Sequence, residues 1–278
     1  MTEQKAEIGI FGGSGLYSLL KGGETIDVET KYGKTSDSIT IGELEGRKVA
    51  FMPRHGSKHH LPPHRVPYRA NIDAMKKLGV TRLISTSAVG SLRMDFMPGD
   101  FVFPNQFINF SHGRDETFFD EETVAHISAA DPYCSEMRQV AIMAGDVSNV
   151  KYHPNGTVIV VNGPRFSTRA ESKFFRSIGG DIVNMTQYPE IVLAKECGMC
   201  FLGVATVTNY DAGIDGNREI APVTFNVVST RLGSSIEKMK NMLSEIIRSL
   251  PEQRSCSCKD SLVNAAVGSQ PEAQEKNQ

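Results

Sequence analysis

Five short polar stretches carry residue types suited to gripping an anion beside a flat polar ring. Gly12-Gly13-Ser14-Gly15 combines glycines, whose backbone N–H groups can curl around an anion, with the hydroxyl of Ser14. Its spacing matches neither G-x-G-x-x-G nor G-x-x-x-x-G-K-[ST], so it signals neither a dinucleotide nor a P-loop. Pro53-Arg54-His55-Gly56 offers a planar guanidinium fork matched to phosphate oxygens, with His55 as a further donor. The run from Ser85 to Ser91 (STSAVGS) is small, hydroxyl-rich and oxyanion-friendly, and Asn184-Met185-Thr186 is a fourth polar stretch. In the fifth, Thr208 to Gly213 (TNYDAG), Asn209 and Asp211 stand two apart and can present an amide and a carboxylate to one heterocycle. Singly, each reads as a turn or a salt-bridged surface loop. Together they describe an anion site next to a site for a polar ring.

Each stretch follows or ends a short β-type run. Strands are predicted at Ile8–Phe11, Val49–Met52, Arg82–Ser85, Asp100–Phe103, Thr157–Val161, Asp181–Val183 and Phe201–Val207. Helical patterns cover Tyr68–Leu78, Pro132–Ala144, Thr168–Ile178, Pro189–Glu196 and Thr224–Leu250. The last spaces Val227, Leu232, Ile236, Met239, Met242, Leu243, Ile246 and Ile247 on an apolar stripe. This alternation predicts an α/β domain over 1–250, with helices on both faces of a central sheet and ligands gathered beyond the strand carboxyl ends. From Pro251 the composition turns small and polar, so 251–278 reads as a loosely held tail containing a C-x-C pair.

Among 278 residues, 30 Lys+Arg against 32 Asp+Glu leave a net charge of −2, which supplies no basic field for nucleic acid. No apolar run approaches a membrane span and the start does not read as a signal peptide, so a cytoplasmic protein is expected. The five cysteines are too few for a disulfide scaffold. Cys197 and Cys200 form a C-x-x-C between a helix and a strand, where a buried structural role is expected, whereas Cys256 and Cys258 sit in the exposed tail. Neither pair has a zinc-knuckle context. His59, His60 and His64 lack nearby carboxylates and are interrupted by Pro62 and Pro63, so no metal site is expected there either.

The ordered segments GIFGGSGLY, PRHGSKH, YRANIDAMKKLGV, TSAVGSLR, NGPRFSTRAES, NMTQYPE and TNYDAG resemble the S-methyl-5′-thioadenosine phosphorylases, the trimeric branch of the purine nucleoside phosphorylase family. The resemblance implies a three-layer sandwich with a mixed central sheet, a homotrimer or dimer of trimers, and no cofactor, since inorganic phosphate is a co-substrate. It implies phosphate binding by Ser14, Arg54, His55, Ser87, Ala88 and Thr186. Met185 would meet the ribose, Phe166 would pack on the purine, and Asn209 and Asp211 would address the base and assist its departure. The C-x-C also resembles heat-stable archaeal members in which such cysteines form disulfides.

Substrate choice turns on five positions, three of them new. Adenine-selective members carry Asp where this chain has Asn209, a departure that favours 6-oxopurines, because an amide can donate to a 6-oxo group. Asp211, and Ser167 in place of a Glu found in oxopurine-selective relatives, favour adenine. Phe225 matches a residue lining the 5′-methylthio pocket, and His126 matches one that a neighbouring subunit contributes. Two expectations therefore stand: phosphorolysis of methylthioadenosine with tolerance of 6-oxopurines, or a 6-oxopurine nucleoside or methylthioinosine phosphorylase.

Overall fold

A computed structural model describes residues 5–121, 123–212, 214, 223–263 and 265–267. The elements in chain order are β1 Ile8–Gly12, β2 Lys21–Ile26, β3 Ile39–Leu44, β4 Arg47–Pro53, α1 Tyr68–Lys77, β5 Arg82–Ser91, β6 Phe101–Val102, β7 Gln106–Asn109 and β8 Val124–Ala125. They continue with α2 Ser135–Val147, β9 Tyr152–His153, β10 Thr157–Val160, α3 Arg169–Ser177, β11 Ile182–Asn184, α4 Gln187–Glu196, β12 Cys200–Tyr210, α5 Phe225–Ser249 and β13 Ala266–Val267.

Strict alternation splits the central strands between two cores. Ile8 and Ile10 of β1, Val49 and Phe51 of β4, Ile84 of β5, and Leu202 and Val204 of β12 pack against α2 and α5. The intervening Phe11, Ala50, Met52, Leu83 and Phe201 pack against α1 and α4. A strand buried on both faces reads as a continuous apolar run, and these do. The expected α/β three-layer arrangement and mixed sheet are both present: eleven strands join, parallel in the middle and antiparallel where β2, β3, β6 and β11 meet it. The β2–β3 hairpin escapes sequence reading because β2 is exposed and glycine-rich and β3, only partly buried, carries no continuous apolar run.

Strand β5 decides where a ligand can sit. One edge pairs with β12 along its whole length, from Arg82↔Cys200 to Ser91↔Tyr210. The other edge is shared: β1 runs parallel as far as Phe11↔Ser85, and β11 arrives antiparallel at Gly90↔Val183. Between those contacts, Thr86 to Val89 are left without a strand on that edge, and the chain leaving β1 and the chain leaving β11 converge on the gap. The stretch from Ser85 to Ser91, expected as a loop after a strand, is therefore the strand itself. Likewise Asn209 lies within β12, where a register shift between Val207 and Asn209 marks a bulge.

The segment after Pro251 is not loose as far as it is described. Arg82, fully buried and ion-paired with Glu7, donates to the Pro251 carbonyl at 2.7 Å. Arg254 donates to the Gly198 carbonyl at 2.9 Å, Ser255 bonds Glu136, and β13 pairs with β8. Residues 268–278 of the expected tail, and Gly213, lie outside the described residues.

Candidate active site

Around the β5 gap opens a cavity of about 740 Å3 lined by Arg54, His55, Ser87, Ala88, Phe166, Ser167, Met185, Thr186, Asn209, Asp211 and Phe225. Residues far apart in sequence thus meet as expected. The side chain of Ser14 lies outside the described residues, though Gly13 and Gly15 on either side line the cavity. His126 does not line it: the residue is exposed, with its backbone N–H bonded to the Ala265 carbonyl at 2.8 Å.

Arg54 is 3% exposed and bound side-on to the fully buried carboxylate of Glu190, a residue that reasoning from loop motifs alone does not single out. Nε and Nη2 donate to the two carboxylate oxygens, Nη2 also donates to Ser85 Oγ at 2.7 Å, and Nη1 donates to the Thr86 carbonyl at 2.8 Å. Of the five guanidinium protons this leaves one, on Nη1. The expected open fork is therefore mostly spent on holding Arg54 still, and Glu190 neutralises part of its field. The signal that could have found Glu190 is an acid in the first turn of α4, immediately after NMTQYP.

His55 also departs from expectation. Its Nδ1 donates to the Leu61 carbonyl at 2.8 Å, and burial, helped by the nearby Arg54 charge, holds its pKa down to about 4. At neutral pH the ring offers an acceptor at Nε2, apt for a P–OH group, where a donor was expected. The sign for stability follows. The unfolded chain takes up this proton at the ordinary value of 6.5, and the native chain only near 4. Stability is thus complete above 6.5 and declines as pH falls through the window to 4, by up to about 3 kcal/mol. Urea unfolding across that window should show a flatter pH dependence for His55→Gln; an unchanged slope rules out this assignment.

The base end holds Asp211 and Asn209. Burial raises the pKa of Asp211. Its backbone N–H is fixed to the Ser91 carbonyl at 2.8 Å. The Asn209 amide is engaged locally: Nδ2 donates to the Tyr210 carbonyl at 3.0 Å, and Oδ1 accepts from Thr208 at 2.8 Å. Gly90 permits this crowding, since a Cβ there would stand 3.2 Å from the Asp211 side chain and 3.3 Å from Asn209 Nδ2.

Met185 is set by Gly163, whose φ of +63° suits glycine and whose added Cβ would stand 2.6 Å from Met185 Sδ. Thr186 stands at the N-cap position of α4 without a capping bond from its own side chain; Asn184 Oδ1 instead accepts the backbone N–H groups of Thr186 at 2.6 Å and Gln187 at 2.7 Å. Where α5 forms the wall it is largely apolar, with Val228, Leu232, Ile236 and Met239. Phe225, at the start of α5 and 62% exposed, is not core packing; its ring centroid lies 6.1 Å from that of His59.

Among the described residues, Ser87 Oγ, Ser167 Oγ, Thr206 Oγ1 and Asp211 Oδ2 are buried without a hydrogen-bond partner, and all four residues line this cavity. Orphaned buried groups cost about 1–3 kcal/mol each, so their gathering in one place marks a surface completed by a polar ligand.

The chain is 49% identical over 266 residues to the S-methyl-5′-thioadenosine phosphorylase of Thermofilum pendens, spanning 95% of this chain and 100% of that one. It is 48% identical over 275 residues to the protein of the same name from Saccharolobus solfataricus, spanning 96% and 100%. The fold matches a methylthioadenosine phosphorylase from an antarctic soil metagenomic library with a TM-score of 0.89 at 38% identity, covering 95% of this chain and 93% of that one. It matches the Schistosoma mansoni methylthioadenosine phosphorylase in complex with adenine with a TM-score of 0.83 at 36% identity, covering 87% and 91%. The profile of the Phosphorylase superfamily spans residues 7–248, which include every element that walls the cavity, and the chain belongs to that family.

Proposed function

We propose that the chain cleaves S-methyl-5′-thioadenosine with inorganic phosphate, releasing adenine and 5-methylthioribose 1-phosphate. The observation that carries this is the cavity itself, in which four orphaned polar groups and Arg54 share one space with an apolar wall from α5 and with Phe225. Phosphate sits at the β5 gap, where Ser87, the backbone at Ala88, Thr186, the last Nη1 proton of Arg54, His55 Nε2 and the loop carrying Ser14 surround it. Met185 meets the ribose, Phe166 stacks on the purine, and the 5′-methylthio group lies against Phe225 and α5.

Phosphate itself attacks the anomeric carbon as the glycosidic bond breaks, so no enzyme nucleophile is needed. Catalysis is positioning plus electrostatics, because the dianion stabilises the positive charge developing on the sugar. The departing adenine gains electron density at N7. Asp211, whose raised pKa favours the protonated form, supplies a proton or a strong hydrogen bond there. The ionised form accepts from the 6-amino group instead.

The names of the relatives support the 6-amino substrate, and the site removes the main argument for 6-oxopurines. The Asn209 amide on which that alternative rests already spends one Nδ2 proton on Tyr210 and accepts from Thr208 at Oδ1, so it is held by its neighbours, and Asp211 faces the base edge with Oδ2 unpartnered. A mismatched polar pair in such a pocket costs about 1–3 kcal/mol. The test is phosphate-dependent cleavage of methylthioadenosine, adenosine, methylthioinosine and inosine. Methylthioadenosine should give the highest kcat/KM, and turnover of only the two oxopurines overturns the proposal.

The finer assembly belongs to the same proposal. Residues 1–250 form the phosphorylase domain and 251–278 an appended segment. The protein acts as a homotrimer or dimer of trimers, in which His126, exposed and away from its own cavity, reaches a neighbour's. It needs no cofactor, takes neither nucleic acid nor a membrane as partner, and works in the cytoplasm. Among the described residues no helix is long and apolar enough to cross a membrane.

A further inference from the structure

The cysteines do not associate as their spacing suggests. The C-x-x-C pair is split: Cys197 packs against the α1–α4 core, whereas Cys200 opens β12 on the opposite side of the sheet. There it meets Cys134, the N-cap of α2, and both cysteines of the C-terminal C-x-C, which are half-buried against the same core and not in an exposed tail. None of the five cysteines is joined in a disulfide in this structure. The sulfurs of Cys134, Cys200, Cys256 and Cys258 lie within 4.8 Å of one another, the only such grouping of potential ligands among the described residues. Cys200 and Cys256 are 3.3 Å apart.

We propose that Cys134, Cys200, Cys256 and Cys258 form a tetrathiolate site for one zinc ion, which ties the C-terminal segment to the body of the enzyme. Zn–S bonds of about 2.3 Å in a tetrahedron set the sulfurs about 3.8 Å apart, so the present cluster closes on an ion with sub-ångström to ångström shifts. Cysteine-only donor sets select zinc over hard cations. Each thiol gives its proton to solvent as its Zn–S bond forms, and no electron is transferred. The resulting negative charge has partners in place: the Met137 N–H donates to Cys134 Sγ at 3.5 Å, and Arg254 Nη1 lies 3.9 Å from Cys200 Sγ. Such N–H···S contacts are the usual outer support of thiolate sites. Apolar neighbours of the α2–α5 core keep water away.

The site would have a structural task. It joins the N-terminus of α2, the start of β12 and the segment beyond α5, and so fixes the far end of the helix whose near half walls the substrate cavity. Closing so long a loop favours the folded state chiefly by restricting the unfolded one.

The full chain, purified anaerobically with a non-chelating reductant, should bind one Co2+ per chain. The bound ion should give the thiolate charge-transfer and tetrahedral ligand-field bands, and added Zn2+ should displace it. Cys256→Ser/Cys258→Ser, placed in the appended segment to spare the core, should lose at least about 100-fold in Co2+ affinity. Zn2+ should raise the Tm of the parent and not of the variant. Absence of tetrahedral bands in the fully reduced parent overturns the proposal. So does an isolated protein whose four thiols resist alkylation until reduced and whose mass shows the hydrogens lost to disulfides. None of these readouts depends on phosphorolysis.

Discussion

Asp211→Asn should lower kcat for methylthioadenosine by about 10²- to 10⁴-fold, the range supplied by a positioned proton donor. Asparagine keeps the shape and can still donate a hydrogen bond, but it cannot transfer a proton to N7. In the parent enzyme the rate should fall as pH rises through the elevated pKa of Asp211; in the variant that limb should vanish. The same substitution should not destabilise the fold. Burial makes the native carboxyl bind its proton more tightly than the unfolded one, so this group's contribution to stability is lost as pH rises above 3.8. Burial disfavours the ionised form, whose Oδ2 has no partner, and a neutral amide carries no such charge. A kcat within threefold of the parent, or a sharp drop in Tm, removes Asp211 from this role.

Glu190→Gln should be the most destabilising single change in the site. Arg54 would keep its charge while losing the countercharge and one of its two carboxylate bonds, since the Gln amide turns an NH2 donor toward the guanidinium, with Glu190 fully buried and Arg54 nearly so. Breaking one side of a buried pair costs about 3–5 kcal/mol. For a chain of this size that corresponds to a Tm lower by roughly 6–20 °C. A purely structural pair would stop there. In this site the stranded guanidinium faces the phosphate end of the cavity, so inorganic phosphate should raise the Tm of Glu190→Gln by more than it raises the parent's. Arg54→Met combined with Glu190→Leu should recover much of the stability and none of the activity. An equal phosphate shift in parent and variant separates Glu190 from the anion site.

Much of this site is legible in residue types alone. Small hydroxyl residues, an Arg-His pair and an Asn-x-Asp triplet next to apolar runs already specify an anion and a ring, because those side chains have few other uses in combination. The apolar runs themselves place α1, α5 and the buried strands within a few residues, since burial on two faces leaves a continuous signature. What fails is local. Ser85 to Ser91 carries no alternation, so its strand character comes only from pairing with β12. The β5 edge left bare between β1 and β11 is a matter of which strand lies beside which, and no window of sequence contains it.

The amino-acid sequence determined the chemistry on offer: which groups can donate, accept, titrate or bind soft ions, and which runs must be buried. Tertiary structure alone decided how those groups are spent. It committed four of the five Arg54 protons, two of them to a carboxylate 136 residues away, turned His55 into an acceptor through the Leu61 carbonyl, and engaged Asn209 with its neighbours while leaving Asp211 Oδ2 without a partner. It also parted Cys200 from Cys197, three residues off, and joined it to Cys256 across 56. The physical reason is the same throughout. Composition sets the strength of an interaction, but only the packed chain sets its distance, its competitors and its access to water, and those decide which partner each group takes.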